Sequence, residues 1–459
     1  MSALLQRALA RHPERAAFVW DGGSLSCRAT AELIGRMQAV LSAAGFGPGT
    51  RVALLAGNQV EAGCAGMAAQ ASGMVTTWLH QLGSQDDHLF QLRDFSAEIL
   101  VVDASDFAQR AADLAQGHQG LRQVYTLTPA DIGRDLVAAA HHIGYHSLRD
   151  LSQVHALATV NYTGGTTGRS TGAMRSQAGY AAMIASIVAD FGLPERPHYL
   201  TAATMTHVAG TLVQPTLMRG GTVRLMAGFQ PGRLLEGLQR IGPVFAQLYG
   251  QTEGYPVSFL DRSDHDPAAP DLFTSCGMPT SISQVCLLDA QDQPVPPGEP
   301  GELCVRGPQV VQGYLNQPEL TAETLRGGWL HTGDMARADA RGHLYIVDRK
   351  KDMIVSGGFN VCPRDVEDVI SGHPAVAMVA VIGVPDAKSG EAVTAMVQLK
   401  PGASGAAELL IDLVRQKKGK VQAPKAVDFI AEMPRTAVGK IDKKLLRAPF
   451  WAGQARQVG

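Results

Sequence analysis

Apolar residues recur at helical spacing early in the chain. Ile34, Met37 and Leu41 fall on one face of a helix, and Gly45 follows the last of them. A glycine directly after an amphipathic run ends a helix because it adopts the left-handed conformation without strain. The pattern predicts an amphipathic helix over residues 31–44.

Short apolar runs, separated by segments long enough for a helix, follow at 52–56, 99–103 and 124–127. Such runs are typical of strands buried between layers of helices. We therefore expect the first 340 or so residues to form layered α/β structure.

The pattern changes near Asp348. The charged run Arg349-Lys350-Lys351-Asp352 interrupts the apolar residues and precedes a glycine turn, Ser356-Gly357-Gly358. Polar residues beside glycines are typical of a connection between domains. We expect a hinge in this segment.

The segment after this hinge has the pattern of one small α+β domain. It predicts helices over 364–370 and 406–417 and strands over 376–384 and 392–399. About 110 residues suffice for such a domain. The expected fold is α/β, with a large layered α/β N-terminal domain over 1–349 and a small mobile α+β C-terminal domain over 350–459.

The composition provides enough hydrophobic residues for buried cores and argues against a nucleic-acid partner. Of the 459 residues, 45% are hydrophobic and 18% are charged, with a formal charge of −2. No block of lysine and arginine is long enough to follow a polynucleotide backbone, so we expect no nucleic-acid partner.

Neither the cysteines nor the apolar stretches indicate a secreted or membrane protein. The six cysteines are scattered without a Cys-x-x-Cys pair, which fits neither a disulfide framework nor a zinc cluster. Charged residues interrupt the first 19 positions, and polar residues dilute the longest uncharged stretches, 62–85 and 197–218. We expect a cytoplasmic protein with no membrane span.

The first candidate chemistry is a segment rich in glycine and threonine: Tyr162-Thr163-Gly164-Gly165-Thr166-Thr167-Gly168-Arg169-Ser170-Thr171-Gly172. Glycines let the backbone approach an anion, and hydroxyls and bare N–H groups bind phosphate oxygens. An ordinary polar turn is the alternative, because short motifs recur by accident.

Five further motifs follow in order. They are Tyr249-Gly250-Gln251-Thr252-Glu253, Trp329-Leu330-His331-Thr332-Gly333-Asp334, Asp348-Arg349-Lys350-Lys351-Asp352, Ser356-Gly357-Gly358-Phe359-Asn360 and Pro434-Arg435-Thr436-Ala437-Val438-Gly439-Lys440. With the loop, they resemble the ordered signature of the adenylate-forming superfamily. The resemblance implies a ligase that activates a carboxylic acid with ATP, releases pyrophosphate and then rotates its small domain so that the sulfur of CoA attacks the acyl-adenylate.

The resemblance assigns the nucleotide contacts by position. Thr252 would contact the α-phosphate, and Glu253 would hold Mg²⁺, a hard cation that prefers carboxylate oxygen. A solvated surface carboxylate is the alternative for Glu253. The remaining phosphate and adenine contacts would be Thr163, Gly164, Gly165, Thr166, Thr167, Gly250 and Gln251.

The nucleoside would be held by a second group of residues. Asp334 would accept hydrogen bonds from the two ribose hydroxyls, with Arg349 alongside. Tyr249 would lie against adenine and Ile346 near the ribose, although each in isolation would be an ordinary core residue.

Besides Thr252 and Glu253, two residues would take part in the chemistry itself. Lys440 would stabilise charge that develops on the carboxylate and α-phosphate, unless it is one more exposed lysine. His207 would gate the path of the thiol beside the acyl pocket, and a satisfied core histidine is the equal alternative.

The resemblance also assigns the hinge and the CoA path. Lys351 would be the residue whose torsion swings the small domain. Gly357 and Gly358, with Phe359 next to them, would line the pantetheine tunnel, where only glycine lets a thin chain pass so close to backbone. A basic trio, Lys417, Lys418 and Lys420, could meet the CoA phosphates or form a solvated helix end.

The sequence departs from the family pattern at Thr171. The family has a lysine there that reaches the β- and γ-phosphates of ATP. Losing one charge-assisted hydrogen bond removes about 1.5 to 3 kcal/mol. ATP and its departing pyrophosphate would feel this loss far more than an adenylate would. Arg169 could substitute only if the loop turned it the same way.

A second departure lies between Phe229 and Tyr249, where the family has roughly 50 more residues in strand and helix elements. Because that part also walls the acyl pocket, its loss would leave a wide pocket. We expect a hydrophobic acid, with room for a bulky natural product.

Both departures bear on the ATP half-reaction, which suggests a ligase that forms the thioester from a preformed acyl-adenylate. CoA and acyl-AMP or AMP would then be its ligands, with ATP and Mg²⁺ needed only if adenylation is retained. A separate adenylating enzyme would supply the acyl-AMP, and a homodimer stays open. Glu253 and Lys440 favour a complete ATP-dependent ligase instead. An inactive relative that binds acyl-nucleotides and a carrier-protein acceptor are further alternatives.

Overall fold

The computed structural model describes most of the chain: residues 2–163, 170–201, 203–205, 208–226, 231–232, 235, 246–265, 267–268, 270–349, 352–356, 359–435 and 440–452. The chain divides into two compact units, the first comprising Met1–Val285 with Val305–Leu330 and the second Cys286–Cys304 with His331–Gly459. The predicted hinge, Lys351, lies outside the described residues, so the domain boundary at 350 stays a prediction.

The strands are short and distributed over both units. The first fourteen are β1 (Ala16–Trp20), β2 (Gly23–Ser26), β3 (Arg51–Leu55), β4 (Val75–Trp78), β5 (Ile99–Val102), β6 (Gln123–Thr126), β7 (Arg134–Asp135), β8 (Leu157–Thr163), β9 (Thr171–Ser176), β10 (His198–Thr201), β11 (Thr222–Leu225), β12 (Gln247–Gln251), β13 (Gly254–Leu260) and β14 (Met278–Pro279). The others are β15 (Gln284–Leu288), β16 (Gly301–Arg306), β17 (Gly313–Tyr314), β18 (Leu330–Ala338), β19 (Leu344–Arg349), β20 (Ile354–Ser356), β21 (Phe359–Val361), β22 (Val376–Asp386), β23 (Gly390–Leu399) and β24 (Ala426–Phe429).

The described helices alternate with these strands. They are α1 (Ser2–Arg11), α2 (Cys27–Ala43), α3 (Val60–Ala71), α4 (Gln85–Phe95), α5 (Ala104–Gly117), α6 (Leu136–His142), α7 (Gln177–Asp190), α8 (Val208–Thr211), α9 (Val213–Met218), α10 (Pro318–Thr324), α11 (Pro363–Ser371), α12 (Ala407–Lys418) and α13 (Lys443–Arg447). None of the described helices is long and apolar enough to cross a membrane.

An eight-stranded sheet is central to the first unit, in the order β17-β9-β8-β4-β3-β5-β6-β7. The strands predicted at 52–56, 99–103 and 124–127 are its parallel neighbours β3, β5 and β6. Both faces are covered: Val52 and Leu54 belong to one hydrophobic cluster, and Ala53 and Leu55 belong to another. The prediction of buried strands between layers is therefore confirmed.

The first predicted helix is also confirmed. Helix α2 buries Ile34, Met37 and Leu41. It begins at Cys27, earlier than the apolar spacing indicated, because the hydroxyl of Ser26 accepts a hydrogen bond from the N–H of Ala29 and caps the helix there.

The second unit contains two sheets. One has the order β15-β16-β18-β19, and the other the order β21-β20-β23-β22 with β24 parallel to β23. Helices α11 and α12 pack on the second sheet through Val366, Ile370, Leu410 and Val414. These elements confirm the two helices and two strands predicted after residue 364.

Candidate active site

The glycine-rich loop connects two paired strands of the first unit. Strands β8 and β9 are antiparallel, with Thr163 opposite Thr171. The two threonine hydroxyl oxygens are 3.2 Å apart and share a hydrogen bond. Gly164, Gly165, Thr166 and Thr167 lie outside the described residues, so their predicted phosphate contacts stay predictions. The position where the family has lysine is thus a strand residue whose hydroxyl pairs with the other end of the loop.

The base of this hairpin is tied to helix α4. The phenol of Tyr162 donates a hydrogen bond of 2.7 Å to Oδ2 of Asp94, and Nε2 of Gln91 donates to the hydroxyl of Ser170 at 3.3 Å. Burial, and next the Asp94 carboxylate, raise the pKa of Tyr162. The phenol therefore stays protonated and remains the donor.

Thr252 and Glu253 form a two-residue turn. Strands β12 and β13 are antiparallel, with Gln251 opposite Gly254 and Tyr249 opposite Ser258. A tight hairpin of this kind fixes the direction of its two turn residues. The motif predicted to contact phosphate and metal therefore sits on a rigid connection.

Glu253 is buried rather than solvated, which excludes the surface-carboxylate alternative. Its side chain is 8% exposed, and Oε1 accepts a hydrogen bond of 2.8 Å from the phenol of Tyr314. Its main-chain oxygen accepts another, also 2.8 Å, from the N–H of Val311. Within the described chain, the structure assigns no hydrogen bond to Oε2. A held carboxylate with one oxygen to spare fits Mg²⁺, which combines one or two carboxylates with substrate phosphates.

Arg175 holds the same turn from the other side. Its Nη2 donates a hydrogen bond of 2.7 Å to the main-chain oxygen of Thr252, and the side chain is 5% exposed. Sequence reasoning missed both Arg175 and Tyr314. A charged residue directly after Ala173 and Met174 in strand β9 was the one available signal for Arg175, and Tyr314 offered none.

The predicted ribose ligands are neighbours in the second unit. Asp334 on β18 lies opposite Arg349 on β19, and Nε of Arg349 is 3.4 Å from Oδ1 of Asp334. Asp334 is 8% exposed. Ile346 lies on β19 opposite Ala336 and is half-buried.

Strand β16 fixes the part of β18 that leads to Asp334. Oε1 of Glu302 accepts from the N–H of Gly333 at 3.2 Å, and Oε2 lies 3.1 Å from Nδ1 of His331. The hydroxyl of Thr332 donates to the carbonyl of Leu303 at 2.6 Å. Gly333 has φ +71°, a conformation that favours glycine.

A thiol completes this buried group. Sγ of Cys304 is 3.3 Å from Nδ1 of His331, and with Glu302 the two offer a set of atoms that could hold a metal ion. The contacts among Glu302, Cys304 and His331 already account for this buried group, which the scattered cysteines did not indicate.

For the other predicted residues, the structure gives only their burial, or they lie outside the described part of the chain. Tyr249, Gly250 and Gln251 are half-buried in β12. Lys440 is exposed. His207, Lys351, Gly357 and Gly358 lie outside the described residues, as does the side chain of Phe359, so their roles stay predictions.

Each unit on its own thus presents groups suited to part of a nucleotide, which is what an adenylate-forming ligase requires. The chain belongs to the AMP-binding enzyme family: the profile of that family matches residues 5–246 and 233–315, and the profile of the AMP-binding enzyme C-terminal domain matches 365–440. Members of this family use ATP, Mg²⁺ and CoA.

Similar proteins narrow the class to acyl-CoA ligases. A medium/long-chain fatty-acid–CoA ligase of Mycobacterium tuberculosis, FadD8, is 36% identical over 99% of this chain and 91% of its own length. A feruloyl-CoA synthase of a Streptomyces species is 32% identical over 95% and 96%. The amide bond synthetase McbA of Marinactinospora thermotolerans has the same fold, with a TM-score of 0.87, 30% identity and coverage of 98% and 99%. The chain is therefore an acyl-CoA ligase with the large and small domains of this superfamily.

The comparisons also bear on the predicted deletion. The alignment with the mycobacterial ligase runs over 523 residues, whereas this chain has 459, so the relative carries segments that this chain lacks. The two matches to the family profile meet and overlap at 233–246. This is the place where the deletion was predicted, and its position there stays a prediction.

Proposed function

We propose that the protein forms an acyl-CoA thioester from an acyl-adenylate and CoA, and that its ATP-dependent adenylation step is weakened or lost. Thr171 is the observation that carries this proposal. Its hydroxyl pairs with Thr163 at 3.2 Å, so a neutral group stands where the family has the lysine that meets the β- and γ-phosphates. The charge-assisted hydrogen bond it lacks is worth about 1.5 to 3 kcal/mol.

The groups that serve an adenylate are supported by the structure of each unit. Thr252 is held on a rigid turn through its main-chain oxygen, and Asp334 with Arg349 forms the pair expected at the ribose. Neither group depends on the β- or γ-phosphate. An acyl-AMP would therefore keep all of its contacts. ATP would lose the lysine contact to its β- and γ-phosphates.

A complete ATP-dependent ligase is the second candidate, favoured by Glu253. Its buried carboxylate, held by Tyr314 at 2.8 Å, is suited to Mg²⁺, which a pure thiolation enzyme has little need for. Lys440, if it enters the site as the family resemblance implies, would serve the same step.

The acyl substrate we propose is a hydrophobic carboxylic acid. The names of the relatives point to medium- and long-chain fatty acids and to ferulate. The truncation near residue 240 would widen the pocket beyond theirs, which leaves room for bulky acids. CoA is the proposed acceptor, and the amide bond synthetase among the structural neighbours makes amines a necessary comparison.

Two assays separate the candidates. Dodecanoyl-AMP or feruloyl-AMP with CoA should give thioester without ATP, and exchange of labelled pyrophosphate into ATP should be slow with the same acids. Exchange at the rate of an ordinary family member would overturn the loss of adenylation. Binding of acyl-AMP without thioester or amide under any acyl chain would indicate an inactive relative.

The Thr171→Lys variant tests the cause directly. Restoring the charge should raise pyrophosphate exchange by roughly tenfold to 150-fold and leave thioester formation from acyl-AMP nearly unchanged. Thr171→Ala is the matched control, because it removes the hydroxyl pairing without adding charge. Equal gains in both variants would show that the charge is irrelevant.

A further inference from the structure

Arg175 is a buried cation beside the turn of Thr252 and Glu253. It lies on β9, and its Nη2 donates a hydrogen bond of 2.7 Å to the main-chain oxygen of Thr252. Burial lowers the pKa of Arg175 below its ordinary value, and Tyr180, Glu253 and Tyr255 offset only part of this effect. Glu253 is therefore close enough to interact with the arginine electrostatically.

A buried arginine at this position of β9 makes folding less favourable, because its charge loses contact with water. The side chain is 5% exposed, and Nε is buried with no hydrogen-bond partner among the described residues. Desolvating a guanidinium is expensive unless its donors are satisfied, and apolar residues of similar volume are often equally or more stabilising. Its neighbour Ala173 on the same strand is buried and apolar. The charge therefore calls for an explanation other than stability.

We propose that Arg175 is a positioning residue of the adenylate site. Its guanidinium fixes the main chain at Thr252, which aims the Thr252 hydroxyl at the α-phosphate. The inference rests on the proposed function for the contact between Thr252 and the α-phosphate.

The position of the charge along β9 matters. Thr171, at the start of the strand, stands where the family lysine meets the β- and γ-phosphates, whereas Arg175 lies four residues further on, beside the turn for the α-phosphate. Of the three phosphates of ATP, acyl-AMP retains only the α-phosphate. The chain thus keeps an arginine that holds the turn for the phosphate that an adenylate retains, and it lacks the lysine for the phosphates that an adenylate has lost.

Calorimetric binding of AMP tests this role without ATP chemistry, CoA or knowledge of the acid. Arg175→Met should weaken AMP binding at least about tenfold, and Arg175→Lys should weaken it less. Adenosine, which has no phosphate, should bind Arg175→Met and the wild type alike. Arg219→Met is the control: this exposed arginine also donates to a main-chain oxygen, that of Leu193 at 3.2 Å, and its loss should leave AMP binding unchanged.

A double-mutant cycle with Thr252→Val separates positioning from general stability. If Arg175 acts through the Thr252 hydroxyl, Arg175→Met should change AMP affinity less than about threefold in the Thr252→Val background. Equal losses in both backgrounds, or unchanged AMP binding by Arg175→Met, would overturn the proposal. Should Arg175→Met fail to fold, Arg175→Lys replaces it in the same double-mutant cycle. We then expect AMP binding to weaken only when Thr252 is present, and not in Thr252→Val.

Two different binding results distinguish a failure of the proposed function from a failure of the role of Arg175. Failure of the wild type to bind AMP at all would contradict the function proposed for the site. Normal AMP binding that is indifferent to Arg175 would contradict only the role of Arg175.

Discussion

The phenol of Tyr314 donates a hydrogen bond of 2.8 Å to Oε1 of Glu253, and both side chains are buried. Burial, and next the charge of Glu253, raise the pKa of Tyr314. The phenol therefore stays protonated at neutral pH and is the donor in this hydrogen bond. Tyr314 thus fixes one oxygen of the carboxylate proposed to hold Mg²⁺.

Replacing Tyr314 with Phe should destabilise the protein, because a buried carboxylate oxygen loses its donor at a cost of about 1.5 to 3 kcal/mol. Thermal unfolding followed by circular dichroism measures the effect. Tyr199→Phe is the control, since that phenol donates at 2.9 Å to a neutral carbonyl, that of Ala209, and should cost less. A larger loss in Tyr199→Phe would contradict the assigned charge of Glu253.

Glu302 should control ribose binding through the part of strand β18 that it holds, at Gly333 beside Asp334. Glu302→Ala removes the acceptor for the N–H of Gly333 and the partner of His331, and we expect AMP binding to weaken about tenfold. AMP that lacks both ribose hydroxyls should be affected much less. Glu391→Ala removes another buried carboxylate of this unit that accepts from a main-chain N–H, that of Val355, and should leave AMP binding intact.

Lys440 distinguishes the two half-reactions. If it stabilises charge during adenylation, Lys440→Ala should lower pyrophosphate exchange about 100-fold or more in the Thr171→Lys background, where exchange is measurable. Thioester formation from acyl-AMP should persist within about threefold. Loss of both activities to the same extent would assign Lys440 a different role. Lys444→Ala, an exposed neighbour in sequence, serves as the control.

The lowered pKa of Asp339 predicts that the stability of the β18–β19 hairpin depends on pH. Burial alone would raise its pKa, but hydrogen bonds from the N–H groups of His343 and Arg341 and from the Arg341 side chain lower it to about 2, from 3.8. Since the folded-state pKa is depressed, the carboxylate stabilises the fold above about pH 4, and this contribution is lost as the pH falls towards 2.

The Asp339→Asn variant tests this dependence. Its melting temperature should fall below that of the wild type at pH 5 to 7, and the difference should shrink as the pH approaches 2. A difference that stays constant over this range would show that the ionised form of Asp339 is not the stabilising one.

Local patterns in the sequence determined the elements and the family. Apolar runs fixed β3, β5 and β6 within a residue or two, because a strand buried on both faces must be apolar throughout. Six ordered motifs identified an adenylate-forming enzyme, because phosphate, metal and ribose contacts each require particular residue types at short spacing. Even the missing lysine at Thr171 was visible in the sequence.

Only the tertiary structure decided what holds those motifs in place. Arg175 reaches Thr252 across 77 positions of the chain, and Tyr314 reaches Glu253 across 61. Such contacts depend on which strands become neighbours in the folded sheet, and no local periodicity encodes them. The sequence by itself named the turn of Thr252 and Glu253, whereas the fold supplied the buried cation and the phenol that fix it.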